Sequence, residues 1–161
     1  MLRLFLTQDG STTRLCEAIA GERVSLQVLD QRVVDALPAQ MTGALPGSRF
    51  LRRLIALGAR GQVMLDSISY MAMDALGSDD LRALEGGATP IGYLLANLWT
   101  RRDFRPHDPQ LFEELWREVG IPDAPASRSF TVITPEGPCM VIAETFRRGI
   151  LTAGPEFARL A

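Results

Sequence analysis

The chain has 161 residues, 47% of them hydrophobic and 22% charged, with a net charge of -2. That suits one soluble domain spanning residues 1–161, long enough for a sizeable core. It gives no case for a general nucleic-acid or membrane surface. No apolar run reaches membrane-spanning length, and residues 1–6 are too short for a signal peptide, so a cytoplasmic location is expected.

Residue usage narrows the chemistry further. Cys16 and Cys139 are the only cysteines, they lack metal-type spacing, and they read as buried free thiols. His107 is the only histidine and lies in a Pro-rich loop, which disfavours a histidine triad or a zinc site. All 17 basic residues are arginine. Schiff-base chemistry is therefore excluded, and arginine is the fixed cation left for binding carboxylates.

In chain order, residues 1–6 form a short apolar segment of no assignable type. Asp9-Gly10-Ser11 is a turn, and Ser11 or Thr12 caps a helix that Gly21 stops. Its apolar face is expected from Leu15, Ala18 and Ile19. Residues 24–28 alternate as a strand and extend towards Val34. Residues 36–46 read as irregular, with Pro38, Gly43 and Pro46 as breakers. Residues 49–57 and 62–70 form a hairpin around Gly61. Adjacent residues Arg52 and Arg53 must face opposite sides of that strand. Asp66, Ser67 and Ser69 form a polar stripe, read first as a half-exposed strand.

Ser78 opens a helix with Asp79 and Asp80 in its first turn, and Gly86-Gly87 ends it. Thr89-Pro90 opens another, with an apolar stripe of Ile91, Leu94, Leu95 and Leu98. A strand with three arginines follows at 100–105. A helix at 109–120 turns Leu111, Phe112, Leu115, Trp116 and Val119 inward. Residues 121–126 form a Pro/Ala linker, and the tail is expected to be helical from Pro155. The joins favour an α+β domain, an antiparallel sheet with helices packed on it.

The last two strands carry the most informative residue. Residues 139–146 are apolar on both faces except for Glu144, a carboxylate in a strand that otherwise wants burial. A three-residue loop at Pro135-Glu136-Gly137 would pair Thr134 with Pro138 and set Arg128 opposite Glu144. A two-residue loop would send Arg128 to the other face. The pair reads either as a structural ion pair or as an acid with an anion-binding arginine.

Several stretches, in order, resemble the chorismate pyruvate-lyase family. They are Leu4–Leu15 with its Asp9, Ser11 and Thr13; Phe50-Leu51-Arg52-Arg53; Gly87-Ala88-Thr89-Pro90-Ile91-Gly92; Thr100-Arg101-Arg102-Asp103-Phe104; and Ala143-Glu144-Thr145-Phe146. The resemblance covers nearly the whole chain. It implies about six antiparallel strands, helices on one side, an enclosed ligand pocket, and removal of pyruvate from chorismate to give 4-hydroxybenzoate. Neither metal nor organic cofactor is implied. Glu144 matches the family acid, and Arg53 matches the first arginine, with Arg52 as fallback.

One departure matters. The family's second arginine would fall in Asp66-Ser67-Ile68, where none stands. Arg128, Arg102, Arg147 or Arg148 could replace it, and the register argument favours Arg128. The expected site is thus Glu144 as catalytic acid, with Arg53, Arg128, Arg102 and Ser67 binding substrate. The expected partner is a small carboxylated ring, without nucleic acid. The same fold resembles the UTRA-like effector domain of bacterial transcription regulators, so two alternatives stand: a related enzyme acting on another carboxylated ring, and a binding module without turnover.

Overall fold

The computed structural model describes residues 2–87, 89–95, 98–105 and 109–152. His107 and the expected tail helix lie outside them. The described residues form six strands: β1 (Ser25–Val34), β2 (Phe50–Ala59), β3 (Gln62–Ala72), β4 (Arg101–Arg105), β5 (Ser127–Thr134) and β6 (Gly137–Phe146). Six helices accompany them: α1 (Leu2–Thr7), α2 (Thr12–Ala20), α3 (Ser78–Glu85), α4 (Ile91–Leu95), α5 (Pro109–Val119) and α6 (Gly149–Thr152). Among these, no helix is long and apolar enough to cross a membrane.

The strands make one sheet in the order β1-β2-β3-β6-β5-β4, and every neighbouring pair is antiparallel. The β2–β3 hairpin turns on Arg60 and Gly61, both with positive φ (52° and 72°), as a two-residue loop with matching twist requires. The β5–β6 hairpin differs from the expected three-residue loop. Thr134 pairs with Gly137, so the loop has two residues, and a register shift follows between Val132 and Ile133. That bulge, at Cys139, restores the register the shorter loop would have lost. Arg128 still faces Glu144.

Both faces of the sheet are covered, not one. Leu111, Phe112 and Leu115 of α5 pack with Leu54, Ile68, Tyr70, Val141 and Ala143 on one face. Phe5 of α1, Cys16 and Ala20 of α2, and Ile150 of α6 pack with Ile55, Leu57, Leu65 and Phe146 on the other. Leu84 of α3 and Ile91 and Leu95 of α4 extend that second cover over Leu51, Met71, Phe130 and Ile142. Double cover explains why β2, β3 and β6 read as near-continuous buried runs. The supposed half-exposed stripe is buried too: Asp66, Ser67 and Ser69 are each 6% exposed or less.

Helix ends mostly follow their local chemistry. Ser11 caps α2, accepting a hydrogen bond from the Arg14 N–H, and Gly21 closes it in the left-handed conformation. The buried face of α2 follows expectation in part, with Leu15 and Ile19 half-buried against the core. Thr12, Thr13, Cys16 and Ala20 point in, while Ala18 is exposed. Gly77, not Ser78, is the N-cap of α3.

Candidate functional site

The pairing registers place the site's side chains in rows across the face under α2 and α4. Opposed residues on neighbouring strands point the same way with Cβ atoms about 5 Å apart. One row reads Ile55, Ser67, Glu144, Arg128. The next, about 7 Å along the strands, reads Arg53, Ser69, Ile142, Phe130, Phe104. A third reads Leu51, Met71, Met140, Val132, Arg102. All five expected site residues therefore lie on one face. Arg52 does not. It points at α5, bonded to Glu114, so the fallback assignment is removed.

Glu144 is 5% exposed and its neutralising partner is Arg128, equally buried. Arg128 Nε donates to Glu144 Oε2 at 2.8 Å. The same oxygen accepts from Thr12 Oγ1 at 3.1 Å. Arg128 Nη2 donates to Thr12 Oγ1 at 2.9 Å. Its Nη1 donates to the carbonyls of Phe5 and Gln8 at 2.8 and 2.7 Å, tying β5 to the end of α1. The rings of Phe146, Phe130 and Phe104 lie 5.3, 5.4 and 5.5 Å from the guanidinium carbon, within cation–π range. These bonds use four of the five donors of Arg128. It is a support for Glu144 more than a free clamp.

Arg102 and Arg53 differ from it. Arg102 Nη1 donates to the Asp9 carbonyl at 2.7 Å, and its guanidinium stacks over Phe130 at 5.0 Å. Burial pulls its pKa down, Glu144 opposes that, and Arg128 adds to the lowering. Arg53 is fully buried. It donates from Nη1 to the Thr89 carbonyl at 2.8 Å and from Nη2 to the Gly87 carbonyl at 2.9 Å, while its Nε has no partner among the described residues. Burial alone lowers its pKa. Arg147, another possible replacement, pairs with Asp66 on the α5 face. That location removes it from the site.

A cavity of about 40 Å³ lies beside Glu144 and is lined by Thr12, Ser67, Arg102, Leu95, Gly92 and Phe130, among others. Gly92, Leu95 and Arg102 also line a larger outer cleft of about 310 Å³, walled by Asp9, Gly10, Ser11, Thr100 and Arg101. The inner space holds only a few waters. Its wall is tight where α4 crosses α2. A Cβ on Gly92 would sit 2.5 Å from Thr13 Oγ1 and 2.6 Å from Ser11 Oγ.

The arrangement can therefore hold a carboxylate next to Arg102 and present one carboxyl oxygen of Glu144 to the cavity, while Arg53, one row away, lines neither the cavity nor the cleft. Thr12 is the member that sequence reading missed. Its signal was there: Thr12, Cys16 and Ala20 recur at i, i+4, i+8, which defines a helix face. A hydroxyl beside a cap position had drawn the simpler reading. Cys16 sits on the same face, its thiol pushed up to about 12 by burial first and by Glu144 second. It is no nucleophile at neutral pH.

The model of the family described as "Chorismate pyruvate-lyase Rv2949c-like" matches residues 6–153. Relatives named chorismate pyruvate-lyase in Mycobacterium tuberculosis and Mycobacterium bovis are 25% identical over 175 residues, covering 96% of this chain and 83% of theirs. Among solved structures, the effector domain of PhnF from Mycobacterium smegmatis aligns with a TM-score of 0.51 at 11% identity, covering 86% of this chain and 88% of that one. A Staphylococcus aureus gene product aligns at 0.50 and 14% identity, covering 80% and 86%. At such identities the structures speak for the fold alone, whereas the family match covers most of the chain. This protein belongs to the Rv2949c-like chorismate pyruvate-lyase family.

Proposed function

We propose that this chain, acting as one domain, eliminates pyruvate from chorismate to give 4-hydroxybenzoate. The observation that carries the reading is Glu144, a buried acid with one oxygen held by Arg128 and Thr12 beside a cavity that Arg102 lines. Chorismate carries two carboxylates, and charge-assisted hydrogen bonds to arginine are the strong way to hold each. Arg102 takes one and Arg53 the other, with Ser67 filling the place of the family's second arginine. Arg128 serves mainly by holding Glu144.

In the reaction Glu144, in its protonated form with the proton on Oε1, delivers that proton to the methylene carbon of the enolpyruvyl group. The ring C–O bond breaks and its electrons leave with the departing pyruvate. The adjacent ring carbon gives up its hydrogen as a proton to the Glu144 carboxylate, which regenerates the acid, and the ring becomes aromatic. Aromatisation drives the step, so the protein's task is positioning and a well-placed proton. Chorismate is larger than the inner cavity. The outer cleft, which shares Gly92, Leu95 and Arg102 with the inner cavity, is the way in.

Glu144→Gln tests the acid role. The expected result is a loss of turnover of about 10²-fold or more, with 4-hydroxybenzoate still bound. Loss of binding with the fold intact would make Glu144 a recognition group instead. A second reading, ligand binding without turnover, is favoured by the fold shared with an effector domain. It predicts tight binding of a carboxylated ring and no pyruvate. A related enzyme on another carboxylated ring is favoured by Ser67, and would process that ring in place of chorismate.

A further inference from the structure

The fork between Arg128 and Glu144 is incomplete in an informative way. An arginine edge facing a carboxylate ordinarily gives one N–H to each oxygen. Here Nε takes Glu144 Oε2, but the second prong, Nη2, goes to Thr12 Oγ1. The Thr12 hydroxyl then donates its own hydrogen to Oε2, the oxygen already held. A hydroxyl can accept one bond and donate another at once, so the two contacts are compatible. Oε1 accepts no hydrogen bond among the described residues, while Glu144 lines the cavity with Thr12.

We propose that Thr12 is a positioning residue that occupies the second prong of Arg128 and thereby keeps Glu144 Oε1 free for the ligand. Without its hydroxyl, Glu144 rotates to satisfy both prongs itself, and Oε1 is withdrawn from the cavity. Thr12 is the first residue of α2, right after the Ser11 cap. The orientation of the acid is thus set by where α2 begins.

This inference rests on Glu144 acting as the proton donor, and it has a readout apart from turnover. Thr12→Val keeps shape and removes the hydroxyl; Thr12→Ser keeps the hydroxyl. Crystal structures of both variants should show Glu144 in a two-pronged contact with Arg128 in Thr12→Val and in its native position in Thr12→Ser. In kinetics with chorismate, Thr12→Val should lower kcat by about tenfold to 100-fold with little change in KM, and displace the pH profile of kcat. Thr12→Ser should restore both. Glu144 unmoved in Thr12→Val overturns the inference, as does a raised KM with kcat unchanged. A wild-type protein that releases no pyruvate, with Glu144 still moving in Thr12→Val, removes the lyase reading and leaves the positioning intact.

Discussion

Arg52 and Arg53 are neighbours in β2, both buried to 1% exposure or less, and their surroundings are opposite. Under α5, Arg52 Nε meets Glu114 at 2.6 Å, its Nη1 meets Asp30, and Glu118 lies 3.6 Å from Nη2. Tyr70 adds hydrogen bonds to Glu114 at 2.8 and 2.9 Å. Under α4, Arg53 has two carbonyls and an unpartnered Nε, with no ion pair among the described residues. A buried charge is costly unless paired. Arg52 is neutralised within the protein, whereas Arg53 has no acidic partner among the described residues. The two faces differ in charge compensation and not in completeness, since Arg52 Nη2, Ser129 Oγ and Thr131 Oγ1 on the α5 side also lack a hydrogen-bond partner among the described residues.

The largest expected effect is on the α5 side. Arg52→Met strands Glu114 and Asp30, and should cost about 3–5 kcal/mol of stability in denaturant unfolding. A loss below about 1 kcal/mol would mean the network is solvated and the contrast false. On the α4 side, Arg53→Met should cost less stability, because it removes an uncompensated charge along with two carbonyl bonds. Its effect should fall on 4-hydroxybenzoate binding, weakened by about 1.5–3 kcal/mol in titration calorimetry. Equal damage to stability from both variants would erase the distinction.

Gly92→Ala sharpens the same contrast at the cover. The added Cβ meets the Thr13 and Ser11 hydroxyls, so α4 must shift. About 1–2 kcal/mol of stability should be lost in thermal unfolding, with ligand affinity changed along with it. The smallest effect concerns the thiols. Burial pushes Cys16 up to about 12 and Cys139 up to about 11. Their raised folded values favour the protonated form, so this contribution to stability holds below pH 9 and fades as pH rises towards 11–12. Neither thiol should react with a thiol reagent at pH 8 until the protein is unfolded.

Much of the fold was legible because alternation, breakers and caps act locally. Strand limits around Gly61 and the helix at Pro109 follow from them. The facing of Arg52 and Arg53 follows from strand geometry alone. Other features depended on partners distant in sequence. Nothing local shows that α5 covers one face while α2 and α4 cover the other, so the Ser67–Ser69 stripe looked wet and is dry. The β5–β6 turn is instructive. Arg128 was placed opposite Glu144 from a three-residue loop, and the pairing instead arises from a two-residue loop plus a bulge at Cys139. A one-residue slip would have buried the two charges on opposite faces, each without the other, so tertiary electrostatics favours the register that the loop alone does not dictate. Thr12 was hidden for a related reason: its partner Glu144 is 132 positions away.

The central claim is that the side under α2 and α4 binds chorismate and that Glu144 drives loss of its enolpyruvyl group. The direct measurement is pyruvate release from chorismate by the purified protein, coupled to lactate dehydrogenase. The account predicts steady pyruvate formation with 4-hydroxybenzoate as the co-product, and its loss in Glu144→Gln. No pyruvate at high protein concentration, from a folded sample, would contradict it.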